Sequence, residues 1–139
     1  MTSARRLAAS CLALLLLISS ATADPAADGW DPAAWANEDV IELRTQAPGK
    51  EPHWFKVWLV VIDGQLYVRL GTRAARRFEE NETRPKVTVR IAEREFPAVV
   101  GTPAPEMAEK VDAAMAEKYW TDVFVRYFDH PLTLRLAPE

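Results

Sequence analysis

Cysteine is nearly absent from this chain. Cys11 is the only one in 139 residues, so no disulfide can form within the protein. Serine is almost as scarce, and its four copies, Ser3, Ser10, Ser19 and Ser20, all precede residue 24. A chain cut before that residue contains neither amino acid. Serine and cysteine nucleophiles and cysteine-ligated metals are then excluded. His53 and His130 are the only two histidines, too few for a three-histidine metal site in one chain. Nor is there an apolar run long enough to span a bilayer, since the longest, residues 7–18, has 12 residues where about 20 are needed. A strong basic balance is lacking too. The net charge is −3, which argues against nucleic acid as a partner.

What is present at the N-terminus reads as an export signal. Arg5 and Arg6 precede the apolar stretch, and Ala21-Thr22-Ala23 supplies the small residues of a cleavage site. Residues 1–23 are therefore expected to be a signal peptide and residues 24–139 one mature domain, periplasmic or secreted. Removing the two arginines takes the charge from −3 to −5. Arg5-Arg6 also raises the twin-arginine route, whereas the strongly apolar 14–18 core fits ordinary unfolded export. Cys11 lies inside that core and not after the cleavage site, which argues against a lipid anchor, and no stable membrane insertion is expected after cleavage.

Along the mature chain, residues 24–37 read as a loose segment with a short helix. Asp31-Pro32 is an N-cap followed by proline in the first helical position, and the helix would bring Trp30 and Trp35 together, as a lid over an open barrel end or as a ligand platform. Six strands are expected, over 40–45, 53–62, 65–70, 86–91, 95–101 and 132–136. The second and third form a central hairpin. The β-branched run at 57–62 suits a doubly buried strand, Asp63-Gly64 suits a type I′ turn, and Leu66, Val68 and Leu70 alternate with Tyr67 and Arg69. Glu93-Arg94 reads as a tight turn, and Pro97 requires an edge strand or a bulge. A short helix over 73–81 would bury Ala74 and Phe78. A longer one over 105–119 carries Met107, Val111, Ala114, Met115 and Tyr119 at helical spacing. Residues 120–128 fit helix or strand. The class is mainly β (α+β), an antiparallel six-stranded barrel with one short and one longer helix.

The chemistry-bearing residues each admit two readings. Arg73, Arg76 and Arg77 form either an anion site or a solvated helix face paired with Glu79, Glu80 and Glu82. Arg44, Arg69, Arg90 and Arg135 fall on outward positions of alternating strands. His53 and His130 suit structural positions at a strand start and a turn or a catalytic role, Lys118-Tyr119 a helix C-terminus or a place near a groove, and Trp54, Trp58 and Trp120 the core or a ring-stacking platform.

The stretches 41–45 (Ile-Glu-Leu-Arg-Thr), 57–69 (Val-Trp-Leu-Val-Val-Ile-Asp-Gly-Gln-Leu-Tyr-Val-Arg), 111–119 (Val-Asp-Ala-Ala-Met-Ala-Glu-Lys-Tyr) and 132–136 (Leu-Thr-Leu-Arg-Leu) resemble the FMN-binding split barrels. The likeness is to a bacterial branch allied to the deazaflavin-dependent nitroreductases, and it spans about residues 38–136. It implies a split β-barrel, a homodimer, and FMN or a deazaflavin in a groove between subunits. The cofactor phosphate would then meet Arg44, Thr45, Arg69, Thr72, Arg73, Arg76 and Arg77. The segment 69–78 departs from relatives that carry a glycine-rich turn there, for it has one glycine, Gly71. Two functions follow. One is an exported oxidoreductase acting on a small molecule, in which the cofactor carries the redox chemistry. The other is a non-enzymatic ligand- or partner-binding protein on a barrel that has lost its cofactor.

Overall fold

The computed structural model describes residues 29–119 and 129–139. The expected signal peptide, the start of the mature chain and the ambiguous 120–128 segment lie outside these residues. Seven strands form one antiparallel sheet: β1 (Ile41–Thr45), β2 (His53–Val57), β3 (Leu59–Ile62), β4 (Gln65–Leu70), β5 (Lys86–Ile91), β6 (Arg94–Pro103) and β7 (Leu132–Pro138). Among the described residues two α-helices, α1 (Thr72–Glu79) and α2 (Ala108–Lys118), and two short 3-10 turns, Pro32–Trp35 and Pro105–Met107, accompany them. Their order across the sheet is β2-β1-β5-β6-β7-β4-β3.

The expected single strand over 53–62 is in fact two, which raises the count from six to seven. Among the described residues β2 pairs only with β1, and β3 only with β4, so strands separated by one residue, Trp58, form opposite edges of the sheet. The sheet has to curl until those edges meet, and a straight strand cannot serve both. The result is a curled half-barrel of the split-barrel type.

Local chemistry sets the remaining geometry. Asp63 and Gly64 both take positive φ, 50° and 74°, as a type I′ turn requires. The second tight turn is Ala92-Glu93 (φ 49° and 64°) and not Glu93-Arg94, because Ile91 pairs directly with Arg94 and closes a two-residue loop. Pro97 sits in a bulge: the register passes from Val89 opposite Phe96 to Val87 opposite Val99, so Pro97 and Ala98 together face Thr88. The missing N–H of proline therefore costs no ladder bond.

The barrel interior is filled by alternate strand residues, among them Ile41, Leu43, Leu59, Leu66, Val68, Leu70, Val89, Leu134 and Leu136, all fully buried. Each such side chain contributes about 1.5–3 kcal/mol relative to exposure. Trp30 and Trp35 meet edge to face at 5.0 Å and both pack on Phe96, forming the expected lid. From α1, Phe78 and Ala75 are buried, while Ala74 is only half-buried, because Ala75 rather than Ala74 shares the inward face with Phe78 at i, i+3. Gly101 makes room for that ring: a Cβ there would lie 2.9 Å from Phe78 Cε2.

A second apolar cluster lies outside the barrel. Val111, Met115 and Tyr119 bring α2 onto Val60 of β3 and Tyr67 of β4. Both faces of β4 are thus buried, which corrects the outward placement expected for Arg69. That residue is 5% exposed and lies on the face covered by α2.

Candidate functional site

Where β2 gives way to β3, the backbone leaves one pairing before it joins the next, and its polar groups need other partners. The end of α2 supplies them. The Leu59 N–H donates to Tyr119 Oη at 3.2 Å. The Tyr119 hydroxyl has the carbonyl oxygens of Leu59 and Asp39 within reach, at 3.0 and 2.9 Å. Lys118 Nζ donates to Leu59 O at 3.0 Å and to Glu38 O. The Tyr119 ring lies flat on Trp58, 4.3 Å between centroids and 4° between planes. Burial pushes the Lys118 ammonium below its ordinary pKa, opposed by the carboxylates of Asp39 and Glu38. Burial likewise pushes the Tyr119 phenol above its ordinary value, against the Leu59 backbone hydrogen bond and assisted by Asp39. Lys118 and Tyr119 form a clamp that fixes the bend and the orientation of Trp58.

Beside the bend lies a cavity of about 230 Å³ lined by Lys56, Val57, Trp58, Arg69, Gly71 and His130. Among the described residues that line it none is acidic. Arg69 Nη1 donates to Asp112 Oδ1 of α2 at 3.1 Å, an ion pair whose arginine side chain is 3% exposed and whose aspartate is 58% exposed. Gly71, the N-cap of α1, lines the cavity and provides no side-chain cap, so the helix begins at the cavity wall with no side chain capping its first amides. Ammonium, guanidinium and helix N-terminus all favour an anion here, and the indole offers an aromatic surface next to them.

The seven residues expected to bind a cofactor phosphate do not converge. Arg69 lines the bend cavity, whereas Thr72 and Arg73, which follow Gly71, are not among its lining residues. Arg76 is exposed and paired with Glu80 at 3.1 Å. Thr45 and Arg77 line a separate cavity of about 270 Å³ with Ala47, Lys50, Glu51, His53 and Glu80. Arg44 lies in register between Trp54 and Thr88 on β1, in neither cavity. Sequence reasoning missed Lys56, Trp58 and His130 as companions of Arg69, and Asp112 as its ion-pair partner. The available signal was that Arg69 shares a strand face with Tyr67, a face that an amphipathic helix carrying Asp112 would cover.

Among the described residues no group of three or more His, Cys, Asp or Glu is placed to hold a metal ion, and no helix is long and apolar enough to cross a membrane.

No protein-family model matches the chain, and no curated protein matches it in sequence. Solved structures do resemble it. The haem storage protein HutZ from Vibrio cholerae superposes with a TM-score of 0.53 at 17% identity, over 77% of this chain and 87% of that one. An F420-H2 dependent reductase, FDR-A, gives 0.53 at 12% identity over 71% and 93%. The conserved hypothetical protein Rv2991 from Mycobacterium tuberculosis gives 0.53 at 17% over 77% and 78%. A further chain, described as a domain-swapped dimer, gives 0.54 at 11% over 71% and 79%. At such identities the likeness is one of fold, and the fold is the split barrel.

Proposed function

We propose that this protein is an exported oxidoreductase of the split-barrel type that holds a planar, phosphorylated redox cofactor, FMN or a deazaflavin, at the β2–β3 bend and acts on a small molecule outside the cytoplasm. The observation that carries the reading is the convergence of Lys56, Arg69, His130 and the α1 N-terminus on one cavity beside the clamped indole of Trp58. These residues fit such a group. Lys56 and the amides after Gly71 suit a phosphate, Arg69 is oriented by Asp112, and Trp58 is held flat for ring contact. The cofactor would supply the hydride or electron chemistry, and the chain supplies binding and orientation. With about 230 Å³, the cavity falls below the roughly 300–1,000 Å³ of sites that enclose a drug-sized ligand. The rest of the cofactor would therefore lie against a second copy of the chain. A dimer also agrees with the domain-swapped neighbour, and cofactor use with the F420-H2 dependent one.

A second reading, non-enzymatic ligand binding, draws on the partial use of Arg69 by Asp112 and on the haem storage neighbour. Thermal-shift and absorbance titrations of the purified mature protein with FMN, a deazaflavin and haem separate the two. Stabilisation by FMN or the deazaflavin that is lost in Lys56→Ala supports the redox reading. Stabilisation by haem alone supports the second, and no shift with any of them removes the proposed cofactor site.

A further inference from the structure

The second cavity lies between the β1–β2 loop and the C-terminal half of α1, away from the bend. Its walls are tied together. The Gln46 N–H donates to Asn81 Oδ1 at 2.9 Å, the Glu82 N–H to Gln46 O at 2.8 Å, and Gln46 Nε2 to Lys50 O at 3.0 Å. The loop that carries Lys50 and Glu51 is thereby fixed against the helix that carries Arg77, so the cavity is formed before any ligand arrives. Charges of both signs line it, and they do not neutralise one another. Glu80 is occupied by Arg76, but Lys50, Glu51 and Arg77 make no ion pair among the described residues, although all three face the same space of about 270 Å³. Thr45, 4% exposed, also lines the cavity, and its hydroxyl makes no hydrogen bond among the described residues.

Two cations, one uncommitted carboxylate and an unused hydroxyl in a preformed cavity call for a ligand with both charges. A purely anionic ligand would leave Glu51 facing its negative charge, and a purely cationic one would face Lys50 and Arg77. We infer that this cavity binds a small zwitterion of amino-acid size, its carboxylate against Arg77 and Lys50, its ammonium against Glu51, and a polar atom against the Thr45 hydroxyl. The bidentate fork of Arg77 suits a carboxylate, and a volume under the drug-sized range suits a molecule this small. The site is independent of the cofactor cavity and reassigns Thr45 and Arg77 from a phosphate to this ligand.

Calorimetric titration of the mature protein with three forms of one amino acid tests this: free alanine, N-acetyl-alanine (anion only) and alanine amide (cation only). The expected result is binding of the free form, with each capped form weaker by about tenfold, as loss of one charge-assisted contact implies. Arg77→Ala should reduce discrimination against the amide, and Arg77→Ala with Lys50→Ala should abolish it. Thr45→Val should weaken the free form by about fivefold, the value of one hydrogen bond, with circular dichroism unchanged. Equal binding of N-acetyl-alanine would make this a simple anion site and overturn the inference. Absence of heat for alanine, and for a panel of larger free amino acids, up to about 10 mM, equivalent to less than 3 kcal/mol, would overturn it as well.

Discussion

At the scale of single residues, stability is concentrated where side chains complete the backbone. Tyr119 is one such position. Removing its hydroxyl in Tyr119→Phe deprives the Leu59 N–H of its partner at a half-buried bend, and the expected cost is about 1–3 kcal/mol, read from chemical denaturation. The effect also has a pH signature. The folded-state pKa of Tyr119 is raised, so above about 10 the unfolded phenol ionises while the folded one does not. The unfolded state then binds fewer protons and stability falls. The contribution is complete below about pH 10 and is lost as pH rises toward the folded value. The advantage of the wild type over Tyr119→Phe should therefore shrink above pH 10, and an advantage that stayed constant would contradict the assignment. Lys118, whose pKa is lowered, acts in the opposite sense, so the comparison must be made with the phenylalanine variant and not from the wild type alone. Asn81 is the second position. It is 6% exposed, accepts from Gln46 N, and donates to Thr83 Oγ1 and Lys86 O at 3.1 and 2.8 Å. Asn81→Ala should cost about 2 kcal/mol, seen as a lower urea midpoint with an unchanged slope.

Between elements, the Arg69–Asp112 pair is the polar contact that fixes α2 against β4 next to the proposed cofactor cavity. Asp112→Ala should destabilise by about 1–2 kcal/mol, less than the 3–5 of a fully buried pair because the aspartate is largely exposed, and Asp112→Asn should cost less since an acceptor remains. Thermal melts of the two variants check the order. The elements themselves were largely legible in the sequence. Alternation marked β1, β4, β5 and β7, Asp-Gly marked the central turn, Pro97 marked the bulge, and the period of Val111, Met115 and Tyr119 marked α2. The break at Trp58 was not legible, because an unbroken apolar run looks the same whether it pairs with one neighbour or passes from one sheet edge to the other. The sites were less legible still. Arg69, Thr45 and Arg77 look alike as exposed polar positions, and only tertiary packing sends the first to one cavity and the other two to another. Asp112 was hidden because its partner lies 43 positions away.

For the whole molecule, the proposed cofactor requires more surface than one chain provides at the bend. Light scattering of the mature protein should give the mass of two chains, and FMN or a deazaflavin should shift the equilibrium toward that dimer. A protein that stayed monomeric at high concentration with cofactor present would remove the shared site. If the chain is exported and cut before residue 24 as proposed, the domain left is cysteine-free and its stability owes nothing to redox state.

The clamp at the bend has a kinetic consequence. The Leu59 amide depends on a phenol at the far end of the chain's longer helix and not on a neighbouring strand. Its protection from deuterium should therefore report the detachment of α2 and not the opening of the barrel. In native-state exchange, Leu59 should behave as an outpost of the helix, exchanging together with the last-turn amides of α2 and well before Leu66 and Val68 within the sheet, though the chain places it among the strands.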